Sequence, residues 1–229
     1  MIYLQKINKQ YKSKRALCNF DLQVKAGEIH ALLGPNGSGK TTTVGVILSM
    51  LKYDGIVEIK IPNNKIGVST EKDIFFERLS VYENLKFIAV LKKIPLSEIE
   101  RIIELLNLET EINISVKTLS KGNRKKVSLA FALMGNQELY IFDEPMSGLD
   151  FDNIILFRKI INELKEKGKT VLLCSHILSE AEKMCTNFSF IFRGKRISVI
   201  EKMELIKKYD NLENAYHKII PKTLIKYEN

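Results

Sequence analysis

A glycine-rich stretch constrains this chain more than any other feature. Residues 34–41 read GPNGSGKT and follow the apolar run IHALL. Because glycine leaves the backbone free to adopt many conformations, three glycines within six residues need a local reason. The stretch satisfies G-x-x-x-x-G-K-[ST], in which successive N–H groups point into one concavity at a helix N-terminus. It therefore predicts a phosphate-binding loop between a central strand and a helix.

Side chains of this loop complete the predicted phosphate site. Lys40 is expected to reach the β- and γ-phosphates, and the Thr41 hydroxyl is placed for Mg²⁺. The residues predicted to contact nucleotide here are Gly34, Pro35, Asn36, Gly37, Ser38, Gly39, Lys40, Thr41 and Thr42.

A second motif, LYIFDEP, places two carboxylates at the end of an apolar strand. In open α/β sheets ligands bind beyond the carboxyl ends of the strands. We expect Asp143 to hold magnesium, directly or through water, and Glu144 to act as the general base that orients or activates water. Together with the phosphate loop, the pair predicts a hydrolytic site.

The order of elements predicts an α/β fold with a helical block inserted in its middle. Short strands dominate to about residue 71, the period is helical from about 80 to 135, and β character returns with ELYIF. Ser80 with Glu83, and Ser97 with Glu100, predict two capping boxes at helix starts. No internal repeat or Pro/Ser linker is present, so one domain with two lobes is expected.

Composition limits the cellular compartment and the binding partners that can be expected for this chain. No apolar run approaches the roughly 18 to 20 residues that span a bilayer, and lysines occupy the start where a signal peptide would be apolar. The three cysteines, Cys18, Cys174 and Cys185, have no paired or metal-like spacing, which favours buried thiols in a reducing compartment. The net charge of +9 is scattered and not interleaved with aromatic residues, so no specific nucleic acid is expected.

Five co-linear motifs resemble those of ATP-binding-cassette (ABC) ATPases over nearly the whole chain. They are the phosphate loop, the signature-like LSKGNRKKVSLA, IFDEP, SGLD and CSH. The resemblance implies a P-loop NTPase fold: a RecA-like mixed-sheet lobe with an antiparallel β subdomain and an inserted α-helical subdomain. It implies a catalytic lobe at about 1–71 and 138–220, a helical subdomain at about 72–137, and a C-terminal helix and tail at about 203–229.

The same resemblance implies how such a chain works. It implies ATP and Mg²⁺ as cofactors, and a homodimer or heterodimer in which each ATP lies between the phosphate loop of one cassette and the signature of the other. The groove between the helical block and the sheet, near Glu71, would receive a helix from an integral-membrane permease. The expected location is the cytoplasm, peripheral on the cell membrane, and the ending NLENAYHKII resembles that of single-domain bacterial exporters.

Five further site residues follow from the resemblance alone. Tyr11 resembles the aromatic residue that stacks on adenine. Ser120 and Gly122 resemble the signature residues that contact the γ-phosphate in trans. Asp150 resembles the residue that links the two sites, and His176 resembles the switch histidine at the γ-phosphate.

Two positions depart from the family pattern. Glu71 stands where the family commonly has glutamine; it can still approach Mg²⁺ or its water, but adds negative charge near the phosphates. Asn123 replaces the usual signature glutamine with a shorter amide. Since Lys40, Glu144 and His176 are retained, hydrolysis is expected.

Other functions remain open at this point. A soluble ABC ATPase of cluster assembly fits the length, whereas the translation type carries two cassettes and the DNA-repair type a long coiled coil. A small-molecule kinase would use the same loop without the signature, SGLD or the histidine. A degenerate module that binds ATP without turnover would have no need of Glu144.

Overall fold

The computed structural model describes residues 1–71 and 75–220. The predicted first residues of the helical subdomain and the tail from Pro221 lie outside these ranges. The strands are β1 (Ile2–Tyr11), β2 (Lys14–Val24), β3 (Ile29–Leu33), β4 (Asp54–Ile59), β5 (Ile66–Ser69), β6 (Leu139–Asp143), β7 (Thr170–Ser175), β8 (Asn187–Phe192) and β9 (Lys195–Glu201). The α-helices are α1 (Lys40–Ile47), α2 (Val81–Lys92), α3 (Ser97–Leu105), α4 (Lys121–Leu133), α5 (Phe151–Glu166), α6 (Leu178–Met184), α7 (Lys202–Tyr209) and α8 (Leu212–Ile219).

The larger sheet has six strands in the order β5-β6-β7-β3-β8-β9. All neighbouring pairs are parallel except β8 and β9, which form an antiparallel hairpin. Every residue of β3, β6 and β7 is buried, as expected of strands covered on both faces. The α/β class and the mixed sheet predicted from the sequence are confirmed.

Register in this sheet brings the predicted motifs to one edge. Leu33 at the end of β3 pairs with Ser175 at the end of β7, and Asp143 at the end of β6 pairs with Cys174. The phosphate loop, the two carboxylates and His176 therefore leave three adjacent strands at their carboxyl ends.

Strand alternation divides the core into two layers. Ala31, Phe142 and Leu173 contribute to a cluster shared with helices α2 to α8, whereas Leu32 and Ile141 face a cluster shared with α1 and the second sheet. Among the described residues no helix is both long and apolar enough to cross a membrane.

The second sheet is antiparallel, with the order β2-β1-β4. The runs IYLQKI and FDLQV predict its first two strands, which are longer than these runs because polar residues continue the hairpin ladder until Tyr11 pairs with Lys14. Register shifts between Leu4 and Gln10 keep the strands paired while the pattern of alternation changes. Hydrophobic alternation alone missed this polar half of the hairpin.

The two predicted capping boxes have different outcomes. At α2, the Ser80 hydroxyl accepts a hydrogen bond from the Glu83 N–H, and Glu83 accepts one from the Ser80 N–H, so this box is confirmed. At α3 the prediction is wrong: Ser97 is already inside the helix, which starts after Leu96 without a side-chain cap.

Candidate active site

The phosphate loop has the backbone that its glycines permit. Gly39 precedes α1 with φ of +119°, in the region that favours glycine. Gly34 is required for a different reason, because a Cβ atom there would lie 2.2 Å from the Ile191 carbonyl oxygen. The loop is thus fixed against β8, and α1 begins directly at Lys40.

Lys40 is the centre of a buried polar cluster. Its side chain is only 5% exposed, and its Nζ donates to the carbonyl oxygens of Gly34 at 2.7 Å and Pro35 at 3.1 Å. The same Nζ lies 3.1 Å from Oε1 of Glu144. The loop lysine and the predicted general base therefore form an ion pair that is shielded from solvent.

Glu144 is held on both sides. Its Oε2 lies 2.8 Å from Nδ1 of His176, whose side chain is 44% exposed. Its backbone N–H donates to the Cys174 carbonyl, and its φ of +49° is unusual for a residue with a side chain. A non-glycine residue in this region costs about 1–3 kcal/mol, and such strain concentrates at functional sites. The backbone turn aims the carboxylate between Lys40 and His176.

Asp143 is fully buried next to this cluster. Burial raises the pKa of its carboxyl, and the charges of Glu71 and Glu144 act in the same direction, while the Thr41 hydroxyl and Lys40 lower it. Within residues 1–71 and 75–220 neither oxygen has a well-formed hydrogen bond, although Thr41 lies close enough to affect the pKa. A buried carboxylate of this kind suits a bound cation.

Glu71 lies beside the phosphate loop, with its Oε2 3.4 Å from the Thr41 Oγ1. The three residues predicted to hold magnesium, Thr41, Glu71 and Asp143, therefore meet at one place. No group of three or more His, Cys, Asp or Glu side chains in the described part of the chain could hold a metal ion without further ligands. An ion here would need oxygens from elsewhere, such as phosphate.

A cavity of about 450 Å³ opens in front of these groups. Its lining includes Tyr11, which is 44% exposed at the end of β1, together with Lys40, Thr41, Glu71 and Glu144. The remaining lining residues are Lys14, Ala16, Asn36, Gly37, Gly39 and Thr42. An aromatic ring at the end of the β1–β2 hairpin and the phosphate loop therefore line the same cavity.

Lys14 was missed by sequence reasoning. Its Nζ lies 3.8 Å from the position that a Cβ atom on Gly37 would occupy, and the residue lines the cavity together with Tyr11. The basic cluster YKSKR was visible in the sequence, but only the hairpin pairing of Lys14 with Tyr11 shows that one of its members faces the phosphate loop.

Ser120, Gly122 and Asp150 lie outside this cavity. Ser120 caps α4 by accepting a hydrogen bond from the Asn123 N–H, and Asp150 caps α5 in the same way through Asn153. A Cβ atom on Gly122 would lie 3.5 Å from the Gly148 carbonyl oxygen, so the signature-like turn and SGLD are neighbours. The two turns form a separate surface of the same chain.

Comparison with known proteins decides the family. Residues 17–147, more than half of the chain, match the family described as ABC transporter. The chain belongs to the ABC transporter family. It is an ABC-type ATPase domain.

Full-length relatives agree with this assignment. The chain is 35% identical over 221 residues to an uncharacterized ABC transporter ATP-binding protein of Methanocaldococcus jannaschii, covering 92% of this chain and 83% of that protein. It is 31% identical to a lantibiotic transport ATP-binding protein of Streptococcus pyogenes, covering 93% of each. It is 34% identical to a bacitracin transport ATP-binding protein of Bacillus licheniformis, covering 85% of this chain and 67% of that protein.

Solved structures show the same architecture. An ATP-binding subunit of an ABC transporter superimposes with a TM-score of 0.87 at 26% identity, covering 96% of this chain and all of the other. A dimeric bacterial ABC transporter cassette matches in fold with a TM-score of 0.81 at 24% identity, covering 88% and 99%.

Proposed function

We propose that this cassette is the ATP-hydrolysing motor subunit of a bacterial exporter, working as a nucleotide-sandwich dimer docked on a membrane subunit. One observation carries the proposal. The cavity that holds the phosphate loop, Tyr11 and Glu144 lacks Ser120 and Gly122, which lie on another surface of the chain. A second cassette would bring its own signature turn to the open side of this cavity.

Each group in the cavity has a chemical task. The Tyr11 ring stacks on adenine, and the loop N–H groups at the start of α1 bind phosphate oxygens. Lys40 exchanges its contact with Glu144 for the β- and γ-phosphates, since both are anionic partners of one ammonium group. Glu144 then accepts the proton of the attacking water, and His176 orients its carboxylate through the 2.8 Å contact.

Magnesium fits the oxygen-bearing side chains of Thr41, Glu71 and Asp143. These residues would hold it together with phosphate oxygens, and the buried Asp143 carboxylate favours binding of the cation. When bound, the ion would neutralise charge on the phosphates. Glu71 supplies a carboxylate where the family commonly has an amide, which adds charge complementarity to a divalent ion.

Ser120, Gly122 and Asp150 act across the dimer in this proposal. The N-terminus of α4, capped at Ser120, presents N–H groups to the γ-phosphate of the partner's ATP. Gly122 keeps this approach free of a side chain.

A membrane subunit would dock near Glu71 on the helical block. Phe76 and Phe87 form an exposed edge-to-face pair, and Val90 and Leu91 extend the apolar surface along α2. Exposed apolar side chains of this number are typical of protein contacts. The relatives named for lantibiotic and bacitracin transport, together with a Nod factor export protein of Cupriavidus pinatubonensis, support an export role.

The test is a pull-down of the tagged chain from its native membrane in mild detergent, combined with ATPase measurements. We expect a stoichiometric multi-spanning protein, and loss of ATP turnover in Lys40→Ala. Recovery from the soluble fraction alone, with cluster-assembly or ribosomal proteins, would replace the exporter by a soluble ABC ATPase. Wild-type turnover in Lys40→Ala would contradict the phosphate-loop assignment itself.

A further inference from the structure

Lys125, on the second turn of α4, reaches out of the helical block into the catalytic lobe. The residue is only 5% exposed. Its Nζ donates to the Thr70 carbonyl at 3.1 Å and approaches the Asp143 carbonyl at 3.4 Å. One ammonium group therefore contacts the backbone of Thr70, the residue before Glu71, and of Asp143, the last residue of β6. Glu71 and Asp143 both belong to the magnesium-binding set proposed above.

The neighbouring lysine on the same helix does something different. Lys126 is similarly buried, at 8% exposed, but its Nζ donates to the Asn107 carbonyl within the helical block. The two lysines thus share burial, helix and partner type. They differ in that only Lys125 crosses between lobes.

Electrostatic attraction also favours the observed position of the Lys125 side chain. A small cavity of about 150 Å³ is lined by Glu71, Lys121, Lys125 and Ser147. Glu71 carries a negative charge where glutamine is common in the family, and the buried ammonium faces the same space. The two opposite charges therefore attract each other across this cavity, and solvent around the exposed Glu71 weakens the attraction.

Further along, α4 stays in contact with β5. The hydroxyls of Ser69 and Ser128 lie 2.8 Å apart and are both buried. A Cβ atom on Gly67 would lie 2.2 Å from the Ala132 carbonyl oxygen, so the two backbones touch. Helix and strand form one packed unit that starts at the signature turn and ends at the Glu71 loop.

We propose that Lys125 is a positioning residue that fixes the signature turn relative to the Glu71 loop and the end of β6. The inference rests on the proposed function, because that function assigns Asp143 and Glu71 to the ATP bound by this chain and the signature to the ATP bound by the partner cassette. Lys125 does not line the cavity that holds the phosphate loop. It transmits the position of the Glu71 loop to the N-terminus of α4, and so sets the alignment of two half-sites that act on different ATP molecules.

The experiment compares Lys125→Met with Lys126→Met, which removes the matched lysine, and with Lys125→Arg, which keeps a cationic donor. Three quantities are measured: ATPase kcat, the dissociation constant for ATP-Mg²⁺, and hydrogen exchange of the segment covering residues 66–71. A reacting group misplaced by about 1 Å can cost about 10²-fold in rate, even when the substitution lies far from the chemistry. We expect Lys125→Met to lower kcat by about tenfold or more, with ATP affinity changed less than about threefold.

Hydrogen exchange of residues 66–71 should become faster in Lys125→Met and stay unchanged in Lys126→Met. Lys125→Arg should recover most of the lost rate. If Lys125→Met does not fold, Lys125→Gln replaces it in the same comparison. Equal effects of the Lys125 and Lys126 variants, or unchanged exchange of residues 66–71, would overturn the inference. Failure of the proposed function is seen separately, as ATP turnover in Lys40→Ala.

Discussion

Replacing Glu144 by glutamine tests the site most directly. The substitution keeps the size and backbone of a residue whose two carboxylate oxygens contact Lys40 at 3.1 Å and His176 at 2.8 Å. It removes the basic oxygen and the negative charge together. Because both Lys40 and Glu144 are about 95% buried, solvent screens this charge poorly.

Two effects of opposite sign follow from that geometry. A positioned general base contributes about 10²–10⁴-fold to rate, so kcat should fall by at least about 10², equivalent to about 2.7 kcal/mol of barrier. Affinity for ATP should rise instead, since the phosphates no longer compete with Glu144 for Lys40. If only about 1 kcal/mol of that competition is relieved, the dissociation constant falls about fivefold.

The assay is single-turnover hydrolysis beside equilibrium titration of ATP-Mg²⁺, with size-exclusion chromatography to detect the dimer expected to accumulate. Glu28→Gln is the matched control, because Glu28 also faces a histidine, His30, at 3.5 Å but lies away from the cavity. Its kcat should stay within about twofold of wild type. A Glu144→Gln rate within tenfold of wild type would refute the assignment of the base, and weakened ATP binding would refute the competition for Lys40.

Three other outcomes follow from packing and charge. Gly67→Ala forces a Cβ atom against the Ala132 carbonyl and should destabilise the fold by about 1–3 kcal/mol, lowering Tm by about 2–4 °C per kcal/mol in a thermal melt. The hydrogen bonds from Arg101 hold the pKa of Glu98 below its ordinary value of 4.5, so Glu98→Gln should cost stability at pH 7. The difference in the free energy of unfolding between wild type and Glu98→Gln, measured by denaturant titration, should vanish as the pH falls below 4.5 and through the lowered pKa of Glu98. A difference that stays constant with pH would exclude the Glu98–Arg101 pair as its source. Mass spectrometry after maleimide treatment should find one adduct, at Cys18, because burial raises the pKa of the other two thiols.

The main sheet could be predicted because its signals are local and strong. IHALL, LYIF and TVLLC are continuous apolar runs, and each is followed by a polar motif that makes sense only at a strand end. The polar half of the first hairpin could not be predicted, because its pairing depends on the partner strand and not on hydrophobic alternation. For the same reason the sequence did not predict that Lys14 lines the cavity.

The position of a helix start is also difficult to predict from local sequence alone. Ser80 and Ser97 each precede a glutamate at the right spacing, yet only Ser80 caps a helix. At Ser97 the preceding Pro95-Leu96 pair already starts the turn, since the N–H of Ile99 donates to the Leu96 carbonyl. A fixed φ at proline is compatible with the first helical turn, so the helix begins at the predicted cap residue itself, Ser97, and Leu96 takes the cap position.

Sequence motifs identify individual active-site residues, whereas the contacts between those residues are visible only in the structure. The sequence predicts that Lys40 binds phosphate and that Glu144 acts as the general base on water, and the family resemblance implies that His176 contacts the γ-phosphate. The structure places the Glu144 carboxylate in contact with both Lys40 and His176. The buried ammonium predicted to bind phosphate is therefore also the counter-charge of the predicted base, and that carboxylate contacts the histidine as well. In the proposed mechanism phosphate cannot engage Lys40 fully without changing the environment of Glu144, because one carboxylate contacts both neighbours. We therefore expect ATP binding and activation of the base to be coupled through this shared ion pair, before any contribution from a second cassette.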